Sequence, residues 1–346
     1  MQYPEMSDPK QHHYIPETYL ENFCDEDGAI WLHDKWEGRS FPSRPKKALK
    51  EHFYYAQPDH ERKVWNHNVE HFFSEKIEKD WLSTVNLIQE GPDRLRSLRH
   101  FFMFLYATRV RVPNCRKAIE YALQQLVRAV SGMIKDKNFL DDERQGVAHI
   151  NKALNSNFQN MEDLYDAGVI NITIDPHRSL LAMADLARGF SLVVSAIHFH
   201  FIKNCTPLDF NCSDNPIVYF PVGQQPNKCD PYQFRPNQPF EFIFPITKQY
   251  CLYHNSLYPI RAQQIVATET KDCSLVRRIN RFVGAFADRF VVSSKELGIS
   301  ELPTPNSCPR LTAYKYPEQR GTFLYFQYEM GEPLRLPKWK NTFEAA

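Results

Sequence analysis

No sign of charge dominates this chain. Its 346 residues carry 42 Lys and Arg against 41 Asp and Glu, a formal net charge of +1. That balance excludes a global field drawing the protein to nucleic acid or anionic lipid, while local basic patches stay open. Long hydrophobic runs are missing too. The longest mostly apolar stretch, residues 190–202, is interrupted by Ser and His and falls short of the roughly 20 residues that a membrane helix needs. The first ten residues are polar and hold no apolar signal core, so we expect a soluble, cytoplasmic chain with no membrane partner. None of the eight cysteines forms a C-x-x-C pair, which argues against a zinc ribbon, and we read them as reduced thiols. There is no P-loop, no G-x-S-x-G and no H-E-x-x-H. An Asp…Glu-x-Lys nuclease pattern built on Asp214 and Glu241 fails, because Ile243 stands where the lysine is needed.

What is present is a large apolar inventory, 42% hydrophobic and 14% aromatic residues, enough for a sizeable core. Residues 29–34 read as a strand after a turn, residues 39–45 as a proline-bearing loop, and residues 53–55 as a second short strand. From Asn68, as cap, to about Gln89 the apolar residues recur at helical spacing. Helices over about 94–111 and 115–134 follow, with Pro113 between them, then shorter ones over 141–156 and 161–166. Asp175-Pro176 starts a helix that we expect to run to Ile202 as the central buried helix, with Asp185 and Arg188 as a buried ion pair. Strands are expected over 217–220, 241–244, 250–253 and 290–292, and a helix over 268–287. The expectation is an α+β fold: a predominantly helical middle with a small mixed or antiparallel sheet built from N-terminal and later strands. It is read as a single domain over residues 10–300, followed by a Pro-rich extension over 301–346.

Several polar groups stand out against this framework. His12 and His13 are adjacent, so on an extended backbone they point to opposite sides and do not clip one metal together. Glu70, Glu75 and Glu78 lie on the Asn68 helix. Glu70 and Glu78 are eight residues apart, about 80° off one face in regular helix geometry, so they converge only loosely. Arg109 and Arg111 end an otherwise apolar helix, where a cation complements the helix terminus or grips an anion in a two-pronged contact. Ser213-Asp214-Asn215-Pro216 is a polar turn that either closes on itself or positions a metal or water. His198 and His200 have strand-like spacing in surroundings that read as helix.

The run His13-Tyr14-Ile15-Pro16-x-x-Tyr19-Leu20-x-x-Phe23 resembles the opening of the bacterial family called domain of unknown function 4238. The strand from Trp31 to Lys35, Phe53-Tyr54, the glutamate-bearing helix from Asn68, Arg111-x-Pro113, Ser213 to Pro216, Phe244 to Thr247 and Ile279-Asn280 agree in order, over about residues 10–294. The resemblance implies a prokaryotic protein of the cytosolic type and supplies no catalyst. His12 and the competing Glu75 and Glu78 are departures from its pattern. From the residues themselves we expect a hydrolase acting on a phosphate-bearing substrate, a nucleic acid or nucleotide. His13, Glu70, Glu78 and Asp214 are its catalytic candidates, Arg111 and Asn215 its substrate-binding candidates, and a divalent metal a candidate cofactor. The rival expectation is a module that binds a ligand or partner without turnover, in a bacterial defence or toxin–antitoxin setting.

Overall fold

The computed structural model describes residues 11–336, except 53, 56, 60–63, 96–97, 132–136, 259–264, 299–300, 302–306 and 319–320. The first part of the chain holds β1 (Gln11–His13), α1 (Glu17–Leu20), β2 (Ile30–Asp34), β3 (Arg39–Ser43), β4 (Lys50–His52), β5 (Gln57–Asp59) and β6 (Val64–Asn66). The helical middle comprises α2 (Asn68–Phe73), α3 (Trp81–Glu90), α4 (Arg99–Arg111), α5 (Pro113–Ser131), α6 (Lys137–Leu154), α7 (Met161–Asp166) and α8 (Pro176–Ala196). Then come β7 (Phe199–Asn204), β8 (Cys212–Ser213), β9 (Val218–Pro221), β10 (Phe240–Pro245), β11 (Tyr250–Asn255), β12 (Ile265–Thr270), α9 (Cys273–Phe286), β13 (Phe290–Ser293), β14 (Cys308–Glu318) and β15 (Gly321–Gly331). The fold is α+β.

The five-stranded sheet runs β12-β7-β11-β10-β9, antiparallel except for the parallel β12–β7 pair. Every residue of β10 is buried, which is why it reads as a continuous apolar run. Its one carboxylate, Glu241, is satisfied by a two-pronged pair with Arg278, at 2.6 Å and 2.6 Å, and by the Tyr253 hydroxyl at 2.8 Å. The second sheet, β3-β2-β13-β8, joins N-terminal strands to late ones, as expected from the sequence. Tyr19 ties the opening segment to the large sheet. Its ring stacks on Phe244 with centroids 5.6 Å apart, and its hydroxyl donates to the Pro245 carbonyl at 2.6 Å. Tyr14, Ile15, Tyr19, Leu20 and Phe23 are all core residues, so most of the opening signature serves packing.

Five expectations need correction. Residues 39–43 form a strand rather than a loop, and Pro42 is tolerated because β3 is an edge strand. Tyr54 and Tyr55 form a bend, not a strand, while Phe53 lies outside the described residues. The helix expected over 268–287 begins only at Cys273. Residues 265–270 pair with β7, and Asp272 caps the helix by accepting from the Ser274 N–H at 2.8 Å. The helix expected to reach Ile202 stops at Ala196, and β7 follows, so His200 stands on a strand with its Nε2 2.7 Å from the Thr268 hydroxyl. Nor is α8 buried all round. Asp185 and Arg188 are 81% and 84% exposed, 3.8 Å apart, on a face that also shows Leu186 and Leu192. Over Arg178–Ala196 this helix is long and apolar enough, by length and composition, to cross a membrane. It packs here as a core helix on α4 and α5, with Phe190 edge-on to Tyr106 at 5.8 Å.

The proline-bearing segment after residue 301 contains a long hairpin, β14–β15, paired from Cys308↔Gly331 to Glu318↔Gly321. Pro309 and Pro317 sit in a strand that pairs on one side only, where a missing N–H is tolerated. Tyr328 and Met330 pack against the main core, and the Asn114 amide donates to the Pro309 carbonyl at 2.5 Å. The eight cysteines are all free.

Candidate active site

Strand β1 pairs with β4 so that His12 lies opposite Glu51 and His13 opposite Lys50. The pleat sends the two rings to different sides, and His12 is the buried one. Its Nδ1 accepts from the Tyr55 N–H at 2.9 Å, and its Nε2 lies 3.2 Å from His67 Nδ1. An Nδ1 that accepts leaves the proton of a neutral ring on Nε2, so His12 donates to His67. His12 therefore fastens the strand to Tyr55 and to the residue that caps α2. The sequence offered Asn68 as that cap, but Asn68 is the first helical residue, and its N–H donates to Asn66 Oδ1 at 2.8 Å.

His13 faces the other way. Burial lowers its pKa, Glu17 and Glu78 oppose that, and Lys50 and Arg111 add to it. The ring is neutral near pH 7, and its buried Nδ1 has no protein partner among the described residues.

The helix that begins at Asn68 is interrupted by a π-helical turn over Ser74–Glu78. A π turn takes in one extra residue. Glu78 then stands relative to Glu70 as a residue seven positions on, about 20° off the same face instead of about 80°. This local unwinding turns the loose pair into a convergent one. It also separates the two competitors, because Glu75 is exposed and Glu78 is turned inward. Glu78 accepts from Arg111 Nη1 at 2.7 Å. Arg111 ends α4, is 1% exposed, and lies 5.2 Å over the Phe73 ring. Burial opposes its charge, and Glu78, Tyr55 and Glu70 together outweigh burial, leaving its pKa raised. The Tyr54 hydroxyl donates to the Arg111 carbonyl at 2.8 Å and fixes this end of the helix before Pro113.

Glu70 completes the group. Burial pushes its carboxyl up to about 7, with Arg111 opposing and Glu78 adding to the rise. His13 Nδ1, Glu70 Oε2, and Arg111 Nε and Nη2 are all buried without a protein hydrogen-bond partner among the described residues. Buried polar groups are normally paired, so such a gathering makes this cluster the candidate site. The cluster offers a neutral imidazole, a carboxyl that holds its proton up to about pH 7, where it is half titrated, and a guanidinium with two uncommitted donors.

Asp214 and Asn215 are not brought to this cluster. The Asp214 carboxylate accepts three backbone N–H groups, from Asp288 at 2.8 Å, Arg289 at 2.7 Å and Phe290 at 2.8 Å, and so locks the turn into β13. Burial and the Asp288 carboxylate push it up to about 7, while those donors and Lys35 oppose. Beside it, Lys35 Nζ donates to the carbonyls of Gly284, Ala287 and Ser307 at 2.9, 2.8 and 2.8 Å. Asn215 donates to the Tyr232 hydroxyl at 2.6 Å and the Phe286 carbonyl at 2.8 Å. Among the described residues, no three His, Cys, Asp or Glu side chains are grouped so as to hold a metal ion. Sequence reasoning missed Tyr55 and His67, which position the cluster. The only trace of His67 is its place just before the periodic run.

No curated protein and no solved structure matches this chain. Residues 11–296, most of its length, match one family, in keeping with the order of short motifs in the sequence. The chain belongs to the family described as protein of unknown function DUF4238.

Proposed function

We propose that the protein hydrolyses a phosphate ester, with a nucleic acid or nucleotide as substrate. The observation that carries this reading is the convergence of His13, Glu70, Glu78 and Arg111 from three separate segments, with uncommitted polar atoms on three of the four. Arg111 takes phosphoryl oxygens on Nε and Nη2 while Glu78 steadies Nη1. Neutral His13 takes a proton from the attacking water as the water oxygen bonds to phosphorus. The P–O bond to the leaving group breaks, and that oxygen receives the proton held by Glu70. No step runs through a metal. Arg111 lies under the surface, and Glu78, 20% exposed, is the side chain past which substrate enters. The cytoplasm suits this reading, since all eight thiols are free.

The test is a phosphoesterase screen over single-stranded and duplex nucleic acids and nucleotides. His13→Ala should cost about 10²–10⁴-fold in kcat and Arg111→Lys about 10²-fold, with the circular dichroism spectrum unchanged. Activity should rise with pH through the lowered His13 value and fall as Glu70 loses its proton near 7. Full activity in both variants would overturn the assignment. The near-complete burial of Arg111 favours a second reading, a module in a bacterial defence or toxin–antitoxin setting that holds an anionic ligand without turnover. Ligand binding lost in Arg111→Lys, with no product from any substrate, would select it.

A further inference from the structure

The last turn of α4 carries a second arginine in different surroundings. Arg109 and Arg111 are two residues apart, about 200° around the helix, so they leave it on opposite faces. Arg109 is 7% exposed, and the groups that act on its charge are tyrosines and a cysteine, not a carboxylate. Its guanidinium lies 3.9 Å from the centroid of the Tyr232 ring, and its charge also acts on the hydroxyls of Tyr219 and Tyr328. Arg109 Nη1 and Asn215 Oδ1 are buried without a protein partner among the described residues.

Tyr232 is the strained member. Its φ of 59° lies in the left-handed region, rare for a bulky side chain and kept only where the surroundings enforce it. The surroundings do so here. Its N–H donates to the Tyr219 carbonyl at 2.9 Å, Asn215 holds its hydroxyl, Arg109 covers its ring, and Tyr328 meets it edge-on at 5.0 Å. Such strain at a rigidly held aromatic is a feature of ligand clamps.

Tyr232 and Tyr328 also line a cleft of about 220 Å³ between residues 231–235 and β15. Phe234 and Tyr325 add aromatic surface, Gln327 an amide and the exposed Arg235 a cation. The volume is below the roughly 300–1,000 Å³ of sites that enclose a whole drug-sized ligand, so the cleft suits one flat ring with its substituents outside. Aromatic walls stack a ring, an amide reads its edge, and an arginine takes an anion.

We propose that this cleft binds a planar aromatic ring carrying an anionic group, the chemistry of a nucleoside monophosphate, with the ring among the tyrosines and the phosphate on Arg235. The site lies apart from the His13 cluster and does not depend on the hydrolase reading. Calorimetric titration of the full chain with AMP and CMP tests it, with adenosine and inorganic phosphate as single-chemistry controls. A nucleotide should bind with a Kd below about 1 mM, and each control at least about tenfold more weakly. Tyr325→Ala, at a side chain 42% exposed, and Arg235→Ala should each weaken nucleotide binding about tenfold or more, while Asp185→Asn on the exposed face of α8 leaves it unchanged. No heat with either nucleotide up to about 10 mM would overturn the proposal. So would unchanged affinity in both cleft variants, or affinity lost in Arg111→Lys alone, which assigns the ligand to the other cluster.

Discussion

Two of the buried charged clusters, around Asp214 and around Arg111, differ in how completely they satisfy themselves. Around Asp214 the carboxylate holds three N–H groups, Lys35 reaches four carbonyls, and Lys117 pairs with Asp288 at 2.6 Å. Around Arg111 one ion pair is made, and four buried polar atoms have no protein partner among the described residues. On the proposed reading, the difference separates structure from function. A charge whose hydrogen bonds are all internal can be removed only at the cost of the fold. A charge with donors to spare costs stability where it stands, and is kept where something else uses it.

The sharpest break of this contrast is Asp214→Ala. It orphans three buried N–H groups and removes a neighbour of the Lys35 charge, so unfolding in urea should show a loss of about 3–5 kcal/mol, or no folded protein at all. A loss under about 1 kcal/mol would mean that the two clusters do not differ in kind.

Glu70→Gln should act in the opposite direction, with a smaller size. Because the Glu70 carboxyl is raised to about 7 in the folded state, the native protein holds a proton that the unfolded chain releases between its ordinary value of 4.5 and about 7. Stability therefore falls as pH rises through that window, and the penalty is complete above about 7. The glutamine variant escapes it. It should be more stable than the parent by about 2 kcal/mol at pH 8, after discounting for partial exposure, and no different at pH 4. Matched denaturation curves at the two pH values check this, and a variant less stable at pH 8 would place Glu70 with the structural cluster. The smallest effect belongs to the exposed pair on α8. Asp185→Asn should leave the thermal midpoint unchanged, and a drop of several degrees would restore the buried ion pair that the sequence suggested.

Much of this architecture was legible locally. The two strands either side of Thr247, the helix over residues 161–166, the start of α8 at Pro176 and the opposite facing of His12 and His13 all follow from periodicity, caps and the pleat. Residues 268–270 read as helix from sequence yet belong to a strand, because their partner β7 is about sixty residues earlier in the chain, and pairing of that kind leaves no local mark. The end of α8 was misplaced for a related reason, since a buried strand following a buried helix continues the same apolar run.

By itself the sequence determined the α+β class, the apolar inventory, the family and the residue types available for chemistry. It also put His13, Glu70, Glu78 and Arg111 on the short list, since such groups stand out in an apolar framework. Only the tertiary structure decided which of them meet. The π turn at Ser74–Glu78 rotates Glu78 toward the face of Glu70, and the burial of Arg111 pairs it with Glu78. The turn into β13 takes every oxygen of Asp214 for backbone donors. The reason is physical: residue identity fixes what a group can donate, accept or ionise, while the segments that surround it fix what is left over.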